Sequence, residues 1–170
     1  MTIDVAEEHR MIIDLVEKFV DNELMPLERA VMEREASGEP VSLIKEEEVT
    51  LLTKCKELGL WALDAPEPLG GAELPTTVML AIQERLRRTV TPFIFPPDSP
   101  NLHMLMDVAT SEQKEKYLRP YAQGEMKSCI AISEPGAGGD PAQMRTRAVR
   151  EGNEWVINGR KIWAVSYTHL

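Results

Sequence analysis

The glycine-rich run at residues 135–140 is the part of the sequence best suited to holding an anion. It reads Pro135-Gly-Ala-Gly-Gly-Asp140, and successive backbone N–H groups in such a loop can form a concave site for phosphate oxygens. The run matches neither G-x-G-x-x-G nor G-x-x-x-x-G-K-[ST], and strand-like spacing follows it. These differences exclude a Rossmann or P-loop site. A phosphate-holding loop and an ordinary connection between strands both fit the run.

Residues that could act as nucleophiles, bases or metal ligands are few and scattered. Ser133 stands beside Glu134, but the three histidines, His9, His103 and His169, fall in unrelated places. No Ser-His-Asp arrangement follows from this order, and no pair of His or Cys residues has metal-ligand spacing. We interpret His103 as a structural histidine with a satisfied partner. The sequence therefore nominates no catalytic residue and no metal ligand.

A structural role accounts for the tryptophans and the cysteines, and their spacing in the sequence does not favour a functional role over it. Trp61, Trp155 and Trp163 suit a protein core, and each could instead form a wall against a planar cofactor. Cys55 and Cys129 lie far apart with no CxxC partner. We therefore expect two reduced, buried thiols rather than a disulfide or a zinc site.

The first 125 residues have the spacing of successive helices. Apolar residues recur at helical intervals in the first of them: Ile12, Leu15, Val16, Phe19, Val20 and Leu24. Pro26 marks the end of this helix or a break in it, and 33–40 is predicted to be a loop. A second helix is predicted from Glu46, with its buried face formed by Leu51, Leu52, Cys55 and Leu58. Further helices are predicted to begin at Thr76 or Thr77, to cover 101–109, and to run from the capping box at Thr110 to Gly124.

After Gly124 the spacing changes to that of strands. We predict strands at 128–133, 146–151, 154–157 and 160–165, with turns at Gly152-Asn153 and Asn158-Gly159. Asn-Gly between apolar runs is a strong hairpin signal, because its turn needs positive φ at both positions. The order predicts an α+β protein with a helical domain at 1–125 and an unfinished antiparallel meander at 126–170. Residues 164–170 break the pattern, and we expect them to be foreign sequence.

The charge of the chain is divided unevenly along its length. The 170 residues carry a net charge of -9, which argues against a nucleic-acid binder. Residues 1–84 hold 7 Lys and Arg against 19 Asp and Glu, whereas residues 85–170 hold 12 against 9. The second half could therefore face an anionic ligand. Apolar runs are too short for a membrane span, and the acidic start predicts a cytoplasmic protein.

Two motifs at a defined separation resemble the signatures of the acyl-CoA dehydrogenases. The run Ile130-Ala-Ile-Ser-Glu-Pro-Gly-Ala-Gly-Gly-Asp140 resembles the flavin-binding signature of that family, and Asn158-Gly-Arg-Lys-Ile-Trp163 resembles its second signature. Upstream, Pro66-Glu-Pro-Leu-Gly-Gly71 and Thr110–Leu118 resemble its N-terminal domain. The resemblance covers residues 5 to 163. Phe95-Pro-Pro-Asp-Ser-Pro-Asn101 is similar to a motif of the larger members.

This resemblance implies a three-part fold and a flavin-dependent reaction. The parts are a helical domain, a β-barrel-like middle domain, here cut short, and a C-terminal helical bundle, here absent. The reaction is α,β-dehydrogenation of an acyl-CoA thioester in fatty acid metabolism. A carboxylate base takes the α-proton and the β-hydrogen leaves as hydride to FAD. The base belongs to the C-terminal domain, so the resemblance implies that this fragment is inactive alone.

Flavin contacts are implied at five positions of this chain. Ile130, Ile132 and Ser133 would lie against the flavin, with the Ser133 backbone and hydroxyl bonded to its ring, and Trp163 would cover the ring. Gly139 stands where the family has a serine on the FAD phosphate or the CoA ester. Because glycine has no hydroxyl, only the backbone N–H of Gly139 could make this contact, either to the cofactor or to the substrate. The family also has Thr or Ser two residues after the tryptophan, where this chain has Val165.

The implied partners are an acyl-CoA substrate and an electron-transfer flavoprotein, in a protein that forms a homo-oligomer at full length. Two other functions fit the sequence. One is a related flavoenzyme, an acyl-CoA oxidase or nitroalkane oxidase, that passes electrons to oxygen. The other is a non-catalytic helical interaction module, which the acidic half would suit.

Overall fold

Helices fill the first part of the chain and an antiparallel hairpin lies in the second. The computed structural model describes residues 6–97 and 99–162, in two compact units at Met1–Met126 and Lys127–Leu170. The first unit contains α1 Glu7–Phe19, α2 Glu28–Ala36, α3 Lys45–Glu57, α4 Thr76–Leu86, α5 Ser99–Val108, α6 Ser111–Gln113 and α7 Arg119–Gln123. The second contains β1 Arg147–Glu151 and β2 Glu154–Asn158. The predicted α+β class is confirmed.

The apolar stripe of α1 leads into the main core of the first unit. Val16, Phe19, Val20 and Leu24 are buried, because their spacing places them on one face of the helix. The ring of Phe19 lies 5.6 Å from the ring centroids of both Phe93 and Phe95. Pro26 interrupts the helix, as predicted: a π-helical turn over Val20–Leu24 and a 3₁₀ turn over Met25–Leu27 precede α2.

Helix α2 continues four residues into the segment predicted to be a loop at 33–40, since it ends at Ala36. Ion pairs support this last turn. Arg29 Nε lies 2.8 Å from Glu33 Oε1, and Arg34 Nη2 lies 2.8 Å from Glu47 Oε2 on α3. The polar residues that favour a loop in the sequence therefore form ion pairs that stabilise the end of a helix.

Helix α3 buries Leu51 and Cys55, as predicted, but Leu58 is exposed. Leu58 is the C-cap of this helix, and the following Gly59 has φ +70°. The left-handed glycine turns the chain away, so that Leu60 rather than Leu58 enters the core. The Glu23 carboxylate of the π-helical turn pairs with Lys54 on α3.

A second core lies where α5 and α7 meet the loop after α3. It comprises Ala62, Ala65, Leu102, Leu118, Tyr121 and Ala122, and Trp61 packs against both cores. Trp61 Nε1 donates a 2.7 Å hydrogen bond to the carbonyl oxygen of Ala122. The predicted capping box is confirmed, because Gln113 N donates to Thr110 Oγ1 at 3.3 Å and Thr110 N to Gln113 Oε1 at 2.9 Å.

The hairpin of the second unit is predicted correctly at its turn and wrongly at its flanks. Arg147 pairs with Asn158 and Glu151 with Glu154, and Gly152 has φ +64°. The segment 128–133 and the described part of the predicted strand 160–165, residues 160–162, are not in regular strands. The prediction of a turn at Asn158-Gly159 is also wrong, because neither residue has a positive φ. A Cβ on Gly159 would overlap the side chain of Thr146. This glycine allows close packing rather than a turn.

No helix within residues 6–97 and 99–162 combines the length and apolar character that crossing a bilayer requires.

Candidate functional site

The segment that resembles the flavin-binding signature presents apolar side chains at its surface. Ile130 is 47% exposed and Ile132 is 49% exposed, although both are large aliphatic residues. Ser133, the next residue, is half-buried, and within the described residues its backbone N–H and its hydroxyl make no hydrogen bond. An apolar pair beside an unused donor pair is suited to a planar ligand that carries polar edge atoms.

Glu134 is the buried centre of this segment. Its side chain is 6% exposed and accepts three hydrogen bonds: from Arg145 N at 2.6 Å, from Thr146 N at 3.0 Å and from Lys161 Nζ at 2.9 Å. Thr146, the Arg145 backbone N–H and Lys161 together lower the pKa of the Glu134 carboxyl to about 2. Glu134 is therefore a carboxylate at any physiological pH.

The second motif lies directly against the first. Lys161 Nζ donates to the carbonyl oxygen of Ile132 at 2.9 Å as well as to Glu134, and Ile162 N donates to the carbonyl oxygen of Ser133 at 2.9 Å. The structure thus joins two motifs that are separated by the 17 residues 141–157 of the sequence. Both belong to the second unit; the first contains Ser133, and the second donates a hydrogen bond to its carbonyl oxygen.

The glycine-rich run is open rather than tightly packed. A Cβ added to Gly136, Gly138 or Gly139 would meet no atom within 4 Å, and all three residues are exposed. In the part of the chain that the structure describes, the N–H groups of Gly138 and Gly139 make no hydrogen bond. Asp140 ends the run by accepting a 3.0 Å hydrogen bond from Ala142 N. Free N–H groups of this kind can bind an anion.

The structure leaves Trp163, the fifth predicted flavin contact, outside the described residues, together with Val165, His169 and the segment 164–170. Four of the five predicted positions are described, and Ile130, Ile132, Ser133 and Gly139 all lie in the second unit. Ile132 and Ser133 are directly tied to the second motif through their carbonyl oxygens.

The other residues singled out in the sequence have structural partners or remain at the surface. His103 Nε2 lies 3.1 Å from Asp64 Oδ2, which gives this histidine the partner that was predicted. Cys55 is buried, and burial raises the pKa of its thiol to about 12. Cys129 is exposed, so the prediction of two buried thiols is wrong for it, because neither apolar core found among the described residues includes the segment around it.

Sequence reasoning missed Glu134 and Lys161 as a pair. In the sequence Glu134 is a neighbour of Ser133 and Lys161 is one residue of the second motif, and neither position alone indicates the other. A signal was available, since each motif contains one residue of opposite charge at a fixed place. The contact itself depends on the fold of the second unit, which brings together residues 27 positions apart.

Comparison with known proteins identifies the family. The model for the acyl-CoA dehydrogenase N-terminal domain matches residues 6–125. The (R)-benzylsuccinyl-CoA dehydrogenase of Thauera aromatica is 36% identical over 96% of this chain and 42% of its own. The mitochondrial short-chain specific acyl-CoA dehydrogenase of Rattus norvegicus is 32% identical over 95% of this chain and 38% of its own. The chain belongs to the acyl-CoA dehydrogenase family.

A solved structure supports the same assignment. The glutaryl-CoA dehydrogenase of Mycobacterium smegmatis in complex with FADH2 has a TM-score of 0.72 and 26% identity, over 94% of this chain and 39% of that chain. The chain therefore spans about two fifths of the length of its relatives. The comparisons confirm the family resemblance that the two motifs indicate.

Proposed function

We propose that the full-length protein is a FAD-dependent dehydrogenase that introduces an α,β double bond into an acyl-CoA thioester. The observation that carries this proposal is the junction of the two motifs, in which Lys161 and Ile162 donate hydrogen bonds to the carbonyl oxygens of Ile132 and Ser133. Membership of the acyl-CoA dehydrogenase family supports the reaction class. We also infer that residues 1–170 alone are inactive, because the resemblance places the base elsewhere.

The described residues fit a flavin. Ile130 and Ile132 offer exposed apolar surface to the ring, and the N–H and hydroxyl of Ser133 offer donors to its polar edge. Trp163 follows Ile162 directly in the sequence, and we assign it to the ring as a cover. FAD would supply the acceptance of hydride, while these residues orient the ring and exclude water from one side of it.

Gly139 is assigned to the phosphate of the cofactor or to the CoA ester. Its N–H is unused within the described residues and the space around its Cα is open. Residues 127–170 carry six Lys and Arg against four Asp and Glu, so the local charge favours the phosphates of FAD and CoA. The proposed substrate class is that of CoA thioesters.

We assign the electrons of the reduced flavin to an electron-transfer flavoprotein, and full-length subunits to a homo-oligomer. Both assignments rest on the family resemblance. The alternative acceptor is molecular oxygen, as in an acyl-CoA oxidase or a nitroalkane oxidase.

The test is anaerobic reduction of the purified full-length protein by a panel of acyl-CoA thioesters of different chain lengths and aromatic content. We expect bleaching of the flavin absorbance and formation of one enoyl-CoA per flavin, with turnover supported by an electron-transfer flavoprotein. Hydrogen peroxide formation in air at the same rate would favour the oxidase. A colourless protein that binds no flavin would favour the helical interaction module and would overturn the proposal.

A further inference from the structure

The Lys161 ammonium is placed where it acts on one particular peptide group. Its Nζ atom lies 2.9 Å from the carbonyl oxygen of Ile132, 2.9 Å from Glu134 Oε1 and 3.4 Å from Met144 Sδ. Its side chain is 27% exposed, so the charge is partly withdrawn from water. A charge-assisted hydrogen bond in such a place is stronger than a neutral one.

The carbonyl of Ile132 and the N–H of Ser133 belong to the same peptide group. That group is planar, so a donor fixed on the oxygen also fixes the direction of the N–H on its opposite side. A cation on the oxygen polarises the peptide and makes its N–H a stronger donor. Within the described residues the Ser133 N–H has no acceptor, and it is therefore available to a ligand.

Glu134 holds the ammonium in this position. The carboxylate is itself fixed by the backbone N–H groups of Arg145 and Thr146, and the next carbonyl along the chain, that of Ser133, is held by Ile162 N. Three consecutive residues, 132–134, are thus anchored while the N–H between the first two remains unused. Preorganisation of this kind is what a precise binding group requires.

We propose that Lys161 is a positioning residue for the flavin: its ammonium orients and polarises the Ile132–Ser133 peptide so that Ser133 N–H donates to the flavin ring, and Glu134 keeps the ammonium in place. This inference rests on the proposed function, because it needs a flavin at Ser133. A stronger donor at the ring stabilises the negative charge of the reduced flavin. Lys161 therefore raises the reduction potential of the flavin as well as the affinity for FAD.

The experiment compares variants of the full-length protein by the dissociation constant for FAD and by the flavin reduction potential. Lys161→Met removes the ammonium, and Arg160→Met removes a neighbouring positive charge that is exposed. We expect Lys161→Met to weaken FAD binding about tenfold and to shift the potential to more negative values. Arg160→Met should change the dissociation constant less than about twofold.

Glu134→Gln supplies a second test. It removes the carboxylate that keeps the ammonium on the Ile132 carbonyl, so the flavin potential should shift to more negative values although Lys161 keeps its charge. If Lys161→Met retains no flavin, this variant decides the question: a shift to more positive values would show that the carboxylate acts only through its own charge, and would overturn the inference. Lys161→Arg keeps the charge, so its flavin reduction potential should lie between those of Lys161→Met and the wild-type protein.

The outcomes separate the inference from the function on which it rests. A wild-type protein without flavin overturns both. A wild-type protein that binds FAD overturns the inference alone if Lys161→Met leaves the potential unchanged, or if Arg160→Met shifts it equally. A loss of thermal stability without a change in potential would mean that Lys161 merely holds the second unit together, and would also overturn the inference.

Discussion

The two units of this chain are stabilised by different means. In the first unit, apolar side chains from several helices form two cores around Phe19 and around Tyr121. In the second, only Glu134 and Ala137 are buried among the described residues, whereas Trp155 is 65% exposed. The first unit is therefore held by burial of apolar surface, and the described part of the second by the hydrogen bonds of one hairpin and of one carboxylate. The unit whose described residues form no apolar core carries both motifs.

The largest expected difference between the units is in thiol reactivity. Cys55 lies in the first core with a thiol pKa of about 12, so that about one molecule in ten thousand is a thiolate at pH 8. Cys129 in the second unit is exposed. We expect iodoacetamide to alkylate Cys129 in the native chain and Cys55 only after denaturation, as followed by peptide mass spectrometry. Equal rates for both thiols would contradict the contrast, and Cys129→Ser is the control with one protected thiol.

Removal of one aromatic ring from each unit compares their stabilities. Phe19→Ala should lower the free energy of unfolding by about 3–5 kcal/mol, because it opens a cavity beside Phe93 and Phe95. Trp155→Ala should change it by less than about 0.5 kcal/mol, since that ring is already exposed. Urea unfolding followed by far-UV circular dichroism measures both. A larger loss for Trp155→Ala would show that the second unit has a core of its own.

Two glycines provide a similar comparison of backbone packing. A Cβ on Gly71 would overlap the carbonyl oxygen of Ala65, whereas one on Gly139 meets open space. Gly71→Ala should therefore cost about 1–3 kcal/mol, and Gly139→Ser should leave the stability unchanged while adding the hydroxyl that the family resemblance implies there. Thermal unfolding of the two variants tests this, and destabilisation by Gly139→Ser would mean that the glycine-rich run is tightly packed.

The smallest expected effect is a local dependence on pH in the second unit. The folded state lowers the pKa of Glu134 from 4.5 to about 2, so its stabilisation is complete above pH 4.5 and is lost as the pH falls towards 2. Protection of the Arg145 and Thr146 amides against hydrogen exchange should decrease over this range. Glu134→Gln should abolish the dependence, and a wild-type profile that matches the variant would contradict the role of the carboxylate.

The helical unit could be predicted from the sequence because its signals are local. The stripe from Ile12 to Leu24 and the capping box at Thr110 are each contained within a few turns of helix, and both are found in the structure. Errors occurred where charge pairs between elements decide the outcome. The end of α2 is an example, because the pair between Arg34 and Glu47 joins two helices.

The second unit was less predictable because its contacts are distant in sequence. Gly152-Asn153 was placed correctly, since the turn and its flanking strands are adjacent. Gly159 was misassigned to a turn because its contact, Thr146, lies 13 residues earlier. The family motifs indicated which residues belong to the site, but the roles of Lys161 and Glu134 appeared only when the structure placed them in contact.

The cofactor content of the full-length protein tests the central claim most directly. We expect the purified protein to be yellow and to release one FAD per chain on denaturation, with Ser133→Ala weakening FAD binding because it removes the free hydroxyl beside Ile132. A colourless protein that takes up no FAD on titration would contradict the assignment of flavin contacts to Ile130, Ile132, Ser133, Gly139 and Trp163.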